Sequence, residues 1–234
     1  MKRSSLYAGA IAMLVFGFLA ACRGGGLGML PAGRFPEGAP TPRPEGEGWT
    51  DLFDAAHAAG WRNVTDGNPD VFELKDGVFH IFGKSGSYMA YEPEAFGDFT
   101  LHIEFKVTKG ANSGVFFRSD PKDPVQGGIE VQVFDDHGVV PNRHGSGAIY
   151  DVATPMFNMA RPGGEWNSYD ITCRGAEVEV VMNGWRVIHT DLSLMTKPIG
   201  KFNTPLAELP RTGHIILQDH GAEVWYKNLV IKRL

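Results

Sequence analysis

Apolar and polar residues alternate with a period of two along most of this chain, and the 3.6-residue period of an amphipathic helix is almost absent. The longest run is 99–107, where Phe99, Leu101, Ile103, Phe105 and Val107 interleave with Thr100, His102, Glu104 and Lys106. Side chains of a strand point alternately to opposite faces, so this run predicts a strand with one face in a core. Shorter runs predict strands at 71–74, 78–81, 114–118, 129–134, 148–150, 168–174, 178–182, 185–189, 214–218 and 224–231. Asp76-Gly77 and Asn183-Gly184 fall between consecutive runs and carry the chemistry of tight hairpin turns. Residues 55–59 could form at most a helical turn. Many short strands without intervening helices predict a β-sandwich or barrel, and at this length a two-sheet jelly roll fits better than a small Greek-key barrel.

Within that pattern the stretch 129–134 stands out. Ile129, Val131 and Val133 can face a core, which turns Glu130 and Gln132 to the opposite face. Mid-sheet, that polar face would be the floor of a site. Arg118 shares a strand face with Gly114 and Phe116, and Gln218 and His220 lie opposite Ile215 and Leu217. His144, Tyr150 and Trp166 fall in or beside the long connections 120–128 and 135–147, where a sandwich carries its rim. Arg, Glu, Gln, His and aromatic rings on one sheet face suit a sugar. Aromatic faces stack on pyranose C–H groups while planar polar groups bond the hydroxyls.

Charge and the N-terminus narrow the setting. With 22 Lys+Arg against 27 Asp+Glu, the net charge of -5 gives no basic footprint for nucleic acid. Lys2 and Arg3 precede an apolar run, 6–20, too short to span a bilayer. It ends in Leu19-Ala20-Ala21-Cys22, which resembles the lipobox of bacterial lipoproteins. That resemblance implies cleavage before Cys22 and lipidation of Cys22, so that acyl chains hold the protein on a membrane surface. The alternative is an ordinary cleavable signal peptide. Arg23 follows, with no acidic retention signal, which points to the outer membrane of the cell envelope. The expected organisation is a signal at 1–22, a Gly/Pro-rich tether at 23–48 and one domain at 49–234. Cys173 is then the one remaining cysteine and cannot form an internal disulfide; its strand pattern predicts a buried, inert thiol.

Several segments are similar to the motifs of a known family. They are Asn112-Ser113-Gly114-Val115-Phe116-Phe117-Arg118, Glu130-Val131-Gln132-Val133, Gly147-Ala148-Ile149-Tyr150, Gly164-Glu165-Trp166-Asn167 and Asn183-Gly184. Gly213-His214-Ile215, Leu217-Gln218-Asp219-His220-Gly221 and Val224-Trp225-Tyr226-Lys227-Asn228 complete the set, in order, over 49–234. Together they resemble the 3-keto-disaccharide hydrolase domain family, of concanavalin A-like jelly-roll fold. The resemblance implies a glycoside already oxidised at C3. The ketone acidifies the C2 proton, so the C1 aglycone can leave by β-elimination and water can add afterwards. Such chemistry needs a base near C2 and stabilisation of the enolate. On this expectation His220 and Glu130 are the candidate bases and Arg118 the clamp. Gln132 and Gln218 orient the sugar, and His144, Tyr150 and Trp166 contact it.

Jelly-roll glucanases of the laminarinase type need two carboxylates at fixed spacing on their active strand. Here the corresponding positions are Glu130, Gln132 and Phe134, and the second carboxylate is missing. That weighs against ordinary double displacement and for a substrate made labile beforehand. The other readings are a non-catalytic carbohydrate-binding module, a scaffold without sugar contact, and a structural Arg118–Glu130 ion pair. His137 and His144 flank Asp135, Asp136 and Asp151 without diagnostic metal-ligand spacing, so no protein metal site or firm cofactor is assigned. An enolate would nonetheless benefit from a divalent cation. Asp219 reads as a turn residue, and His102 as solvent-facing or locally bonded.

Overall fold

The computed structural model describes residues 38–84 and 86–234. The expected signal, Cys22 and residues 23–37 of the expected tether lie outside these. Thirteen strands account for nearly all regular structure: β1 (Trp49–Asp51), β2 (Trp61–Asn63), β3 (Phe72–Lys75), β4 (Val78–Phe82), β5 (Tyr88–Tyr91), β6 (Phe99–Val107), β7 (Asn112–Ser119), β8 (Ile129–Phe134), β9 (Asn167–Arg174), β10 (Glu177–Met182), β11 (Trp185–Asp191), β12 (His214–Gln218) and β13 (Glu223–Arg233). The helical elements among the described residues are single 3-10 turns, one of them at Ala58–Gly60. One sheet runs β11-β10-β9-β6-β13-β4-β3, with β1 also paired to β13; the other runs β2-β5-β12-β7-β8. Neighbouring strands pair antiparallel throughout the described residues, as in β6 with β9 and β7 with β8.

The period of two decides what each sheet buries. Phe99, Leu101, Ile103, Phe105 and Val107 of β6 join Val115, Phe117, Ile129, Val131, Val133, Ile215 and Leu217 in one core between the sheets. Complete burial of each such side chain contributes about 1.5–3 kcal/mol. Cys173 lies in this core, its thiol pushed up to about 12 by burial, which keeps it from acting as a nucleophile. Two tyrosines of the larger sheet cross the core to the smaller one. Tyr169 donates from its hydroxyl to the Gln132 carbonyl (2.6 Å), and the Tyr226 hydroxyl meets Ser113 Oγ (2.7 Å). Each bond satisfies a buried hydroxyl; Tyr169 fixes β8 behind Glu130 and Gln132, and Tyr226 fixes the neighbouring β7.

Three features depart from the pattern-based expectation. β2 and β5, on the edge side of the smaller sheet, lie in stretches with no clear alternation. Residues 148–150 do not make a full strand; Ile149 forms isolated bridges to Val131 and Ala153, and Gly147 and Ala148 bond the Gln132 backbone beside β8. The third departure concerns the expected tether. Over its described part, residues 38–48, the chain is strapped to the larger sheet. Thr41 donates from its amide to Ser168 Oγ (2.8 Å) and from its hydroxyl to Asp170 Oδ2 (2.7 Å). Arg43 pairs with Asp51 at 2.9 Å, and Lys232 donates to the Glu47 carbonyl (3.1 Å). The other oxygen of Asp170 meets His102 Nδ1 at 2.7 Å, and His102 is wholly buried.

Candidate active site

Glu130 and Gln132 sit on the outer face of the five-stranded sheet, as their alternation requires. β8 lies on that sheet's edge, shielded by the bridging segment 147–150. The neighbouring surface is built by β7, β12 and β5, whose outward residues include Gly114, Phe116, Ile216, Gln218, Ala90 and Tyr88. Phe116, Ile216 and Ala90 form a small apolar patch of their own, against which Tyr88 packs. The ring of Tyr88 meets Phe116 edge-on at 5.5 Å, and its hydroxyl accepts from Gln218 Nε2 (3.2 Å). The Gln218 Oε1 atom is buried without a partner, so this amide keeps an acceptor free beside the face.

Glu130 is only 4% exposed, and its Oε2 accepts from Lys201 Nζ at 2.6 Å. Lys201 in turn lies over the rings of Tyr150 (4.9 Å), Phe116 (5.1 Å) and Phe202 (5.5 Å). An ammonium among three aromatic faces and one carboxylate is held by cation–π attraction and charge together. Burial raises the Glu130 carboxyl above its ordinary range, while the charges of Lys201 and His220 and the Lys201 hydrogen bond oppose the rise without cancelling it. The Tyr150 phenol is raised by burial and by the charges of Glu130 and Asp151. With its amide turned to satisfy its neighbours, Gln132 donates to Glu130 Oε1 (3.1 Å). Gly114 leaves the room for that carboxyl, since a Cβ there would lie 2.5 Å from Glu130 Oε1.

Lys201 is the residue that sequence reasoning missed. It belongs to the irregular connection between β11 and β12, where no periodicity marks a position as inward or outward. Its placement is nevertheless over-determined. Gln126 donates to the Lys201 carbonyl (2.7 Å) and accepts from the Asn203 amide (3.0 Å). Phe202 is buried in the core, and Gly200 approaches Asp151 so closely that a Cβ would lie 2.2 Å from its carbonyl oxygen. Gly200 also has φ +55, the left-handed region that favours glycine. The glycine directly before a Lys in a loop was the available signal, and it is a weak one.

Of the other expected site residues, most reach this face and two do not. His144 packs against Tyr150 with the rings tilted (5.0 Å between centroids) and bonds Asp151 through Nε2 (2.9 Å) at the rim. His220 is exposed just beyond β12, near enough for Glu130 to feel its charge. Arg118 is a correction. The β7–β12 register slips by one residue between Phe116 and Ser119, and Arg118 takes φ +48. A bulge of this kind breaks the alternation and re-aims the side chain. The buried guanidinium donates to the carbonyls of Gly97 (2.9 Å) and Gly175 (2.7 Å) and to Asp98 Oδ1 (2.9 Å). It ties the smaller sheet to turns flanking β6 and β9, and neither clamps a ligand beside Glu130 nor pairs with it.

Trp166 is the second correction. It lies under the ammonium groups of Lys227 (4.2 Å) and Lys106 (5.3 Å), which belong to the outer face of the eight-stranded sheet, across the sandwich from Glu130. The hairpin-like loop before β9 carries it there, because Asn167 pairs with Phe105 and so sets Trp166 beside Lys106. Among the described residues no three His, Cys, Asp or Glu side chains converge as a metal site. His137 bonds the Ala160 carbonyl, Asp135 accepts from the Gly110 amide and Asp136 from the Ser146 amide. Asp219 caps its own turn by accepting from the Gly221 amide (2.8 Å).

A family model described as the 3-keto-alpha-glucoside-1,2-lyase-like domain matches residues 48–232. The chain belongs to that family. A Bacteroides thetaiotaomicron protein named 3-keto-disaccharide hydrolase is 30% identical, over 81% of this chain and 80% of its own length. Among solved structures, a Parabacteroides distasonis protein described as a glycosyl hydrolase superposes with a TM-score of 0.70 at 30% identity, covering 80% of this chain and 99% of that one. The endo-beta-1,3(4)-glucanase SCLam, of glycoside hydrolase family GH16, superposes with a TM-score of 0.55 at 11% identity, over 85% of this chain and 98% of its own. That likeness establishes the shared jelly-roll fold.

Proposed function

We propose that this protein cleaves 3-keto-glycosides, by removal of the C2 proton, loss of the C1 aglycone and addition of water. Family membership and the name of the Bacteroides relative supply the substrate class. The observation that carries the mechanism is the Glu130–Lys201 pair: one buried carboxyl with a raised pKa, one ammonium against it, and no second carboxylate on the same strand. A carboxyl whose pKa is raised toward the working pH is a better general base than an ordinary one. As Glu130 takes the C2 proton, negative charge moves to the C3 oxygen, where the fixed Lys201 ammonium can stabilise it. The C1–O bond then breaks. His220, at the exposed edge, protonates the departing oxygen. Tyr88, Tyr150, Gln132 and Gln218 hold the ring. Lys201 thus takes the role that the sequence had suggested for Arg118.

This reading also gives the lipobox-like Leu19-Ala20-Ala21-Cys22 a purpose. A Cys22-acylated protein in the cell envelope would meet glycosides where an exported or surface pathway oxidises them. The reaction class implies a separate oxidoreductase that supplies the ketone.

The test is aglycone release from an aryl 3-keto-glucoside and from its unoxidised parent, each with and without chelator. Release from the oxidised substrate alone, with deuterium from heavy water appearing at C2, is the expected result. Glu130→Gln should lower kcat by about 10²–10⁴-fold. Equal turnover of both substrates, or inert behaviour of the wild type across several 3-keto-glycosides, would refute the proposal.

A further inference from the structure

We infer that one end of the sandwich, carrying Val139, Val140, Met156 and Trp185, rests on the lipid surface to which Cys22 would be anchored. This goes beyond the catalytic reading and is independent of it, but it does rest on acylation of Cys22. Six large apolar side chains are exposed among the described residues, and these are four of them, at 51%, 80%, 69% and 41%. They come from three separate segments that the structure knits together. The Met156 amide donates to the Val187 carbonyl (2.8 Å), and the ring of Phe157 meets Trp185 edge-on at 6.2 Å. Asn158 Nδ2 reaches the carbonyls of Asp136 (2.7 Å) and Val139 (3.0 Å), which binds the 135–147 loop to the same end.

The chain leading back to Cys22 starts from this very end. Gly38 packs on the Asn183 turn, where a Cβ would lie 2.7 Å from Asn183 Cβ and 3.2 Å from Met159 Cε. Arg161 donates to the Gly38 carbonyl (3.1 Å), and Gly184 lies beside Ala39 and Thr41. Sixteen residue steps separate Gly38 from Cys22. Fully extended they reach at most about 55 Å. An acylated Cys22 therefore keeps this end within a few nanometres of the bilayer. At the resulting high effective concentration, a weak apolar contact suffices to dock it. Trp with flanking aliphatic side chains is also the composition that settles at a membrane interface. Leu194, exposed at 78%, lies past the other end of β11 from Trp185, roughly 20 Å or more away along the strand.

The full chain, purified with its acyl chains and reconstituted into phosphatidylcholine vesicles, tests this directly. Val140→Cys, Met156→Cys and Leu194→Cys variants are labelled with an environment-sensitive fluorophore. The buried Cys173 does not compete for the label. Probes at 140 and 156 should shift to the blue on vesicles relative to lipid-free solution of the same chain after lipase release, and the probe at 194 should not. In parallel, brominated lipid should quench the wild type more than Trp185→Phe. No shift at 140 and 156, or the same shift at 194, overturns the inference. So does an intact mass showing no acyl chains on Cys22. Aglycone release measured on the same samples keeps a failure of docking separate from a failure of the catalytic reading.

Discussion

At the scale of single residues, the proposed chemistry rests on the pair Glu130–Lys201 and can be probed by charge alone. Glu130 is raised by burial and held down in part by Lys201. Lys201→Met removes the opposing charge while keeping the aliphatic stem among Tyr150, Phe116 and Phe202. Glu130 should then titrate at still higher pH, so the acid limb of the pH–rate profile for aglycone release should move upward. The enolate also loses its cation, and kcat should fall by about 10²–10³-fold. Stability carries a matching signature. A carboxyl whose folded pKa lies above its unfolded value binds more protons folded than unfolded between the two, so stability falls as pH rises through that window. Glu130→Gln should flatten this slope in thermal unfolding measured between mildly acidic and neutral pH. A profile unmoved by Lys201→Met would remove Lys201 from the site.

At the scale of elements, the period of two made β6 to β13 legible, and with them the outward position of Glu130, Gln132 and Gln218. It failed wherever a local device overrode the alternation. The bulge at Arg118 turned an apparent ligand clamp into a tie between sheets. Lys201 was hidden because its connection is positioned by Gln126, Phe202 and Gly200, side chains whose joint effect no window of sequence displays. Trp166 was misplaced because nothing in its loop says which sheet face it joins. Arg118→Met distinguishes the two roles of that residue. It removes the donor to the carbonyls of Gly97 and Gly175 and to Asp98, whose Oδ1 keeps the Gly175 amide, and should cost about 2–4 kcal/mol. The thermal midpoint should drop, while kcat and KM of the folded fraction at low temperature stay near wild type. A large loss of kcat at unchanged stability would return Arg118 to the chemistry.

At the scale of the molecule, the two sheets divide the work. The smaller sheet carries Glu130 and its neighbours outward, while the larger one carries the strap formed by residues 38–48. Between them Tyr169 and Tyr226 hold the floor of the site from behind. The strap converts what composition reads as a loose Gly/Pro linker into part of the fold, because Thr41 finds Ser168 and Asp170 waiting on the sheet. Its hydroxyl donates to a carboxylate that also meets the buried His102, so the strap joins a polar network on the outer face of the larger sheet. On a free linker, Thr41→Val would be silent. On this structure it deletes a charge-assisted hydrogen bond at a site shielded by the strap itself, which contributes about 1.5–3 kcal/mol. For a domain of this size the thermal midpoint should fall by roughly 3–10 °C. Hydrogen exchange should quicken at Thr41 and Ser168, and aglycone release at 25 °C should be unchanged, since Glu130 faces outward from the opposite sheet. A midpoint within 1 °C of wild type, taking about 1 °C as ordinary scatter against that shift, would show that the strap does not hold.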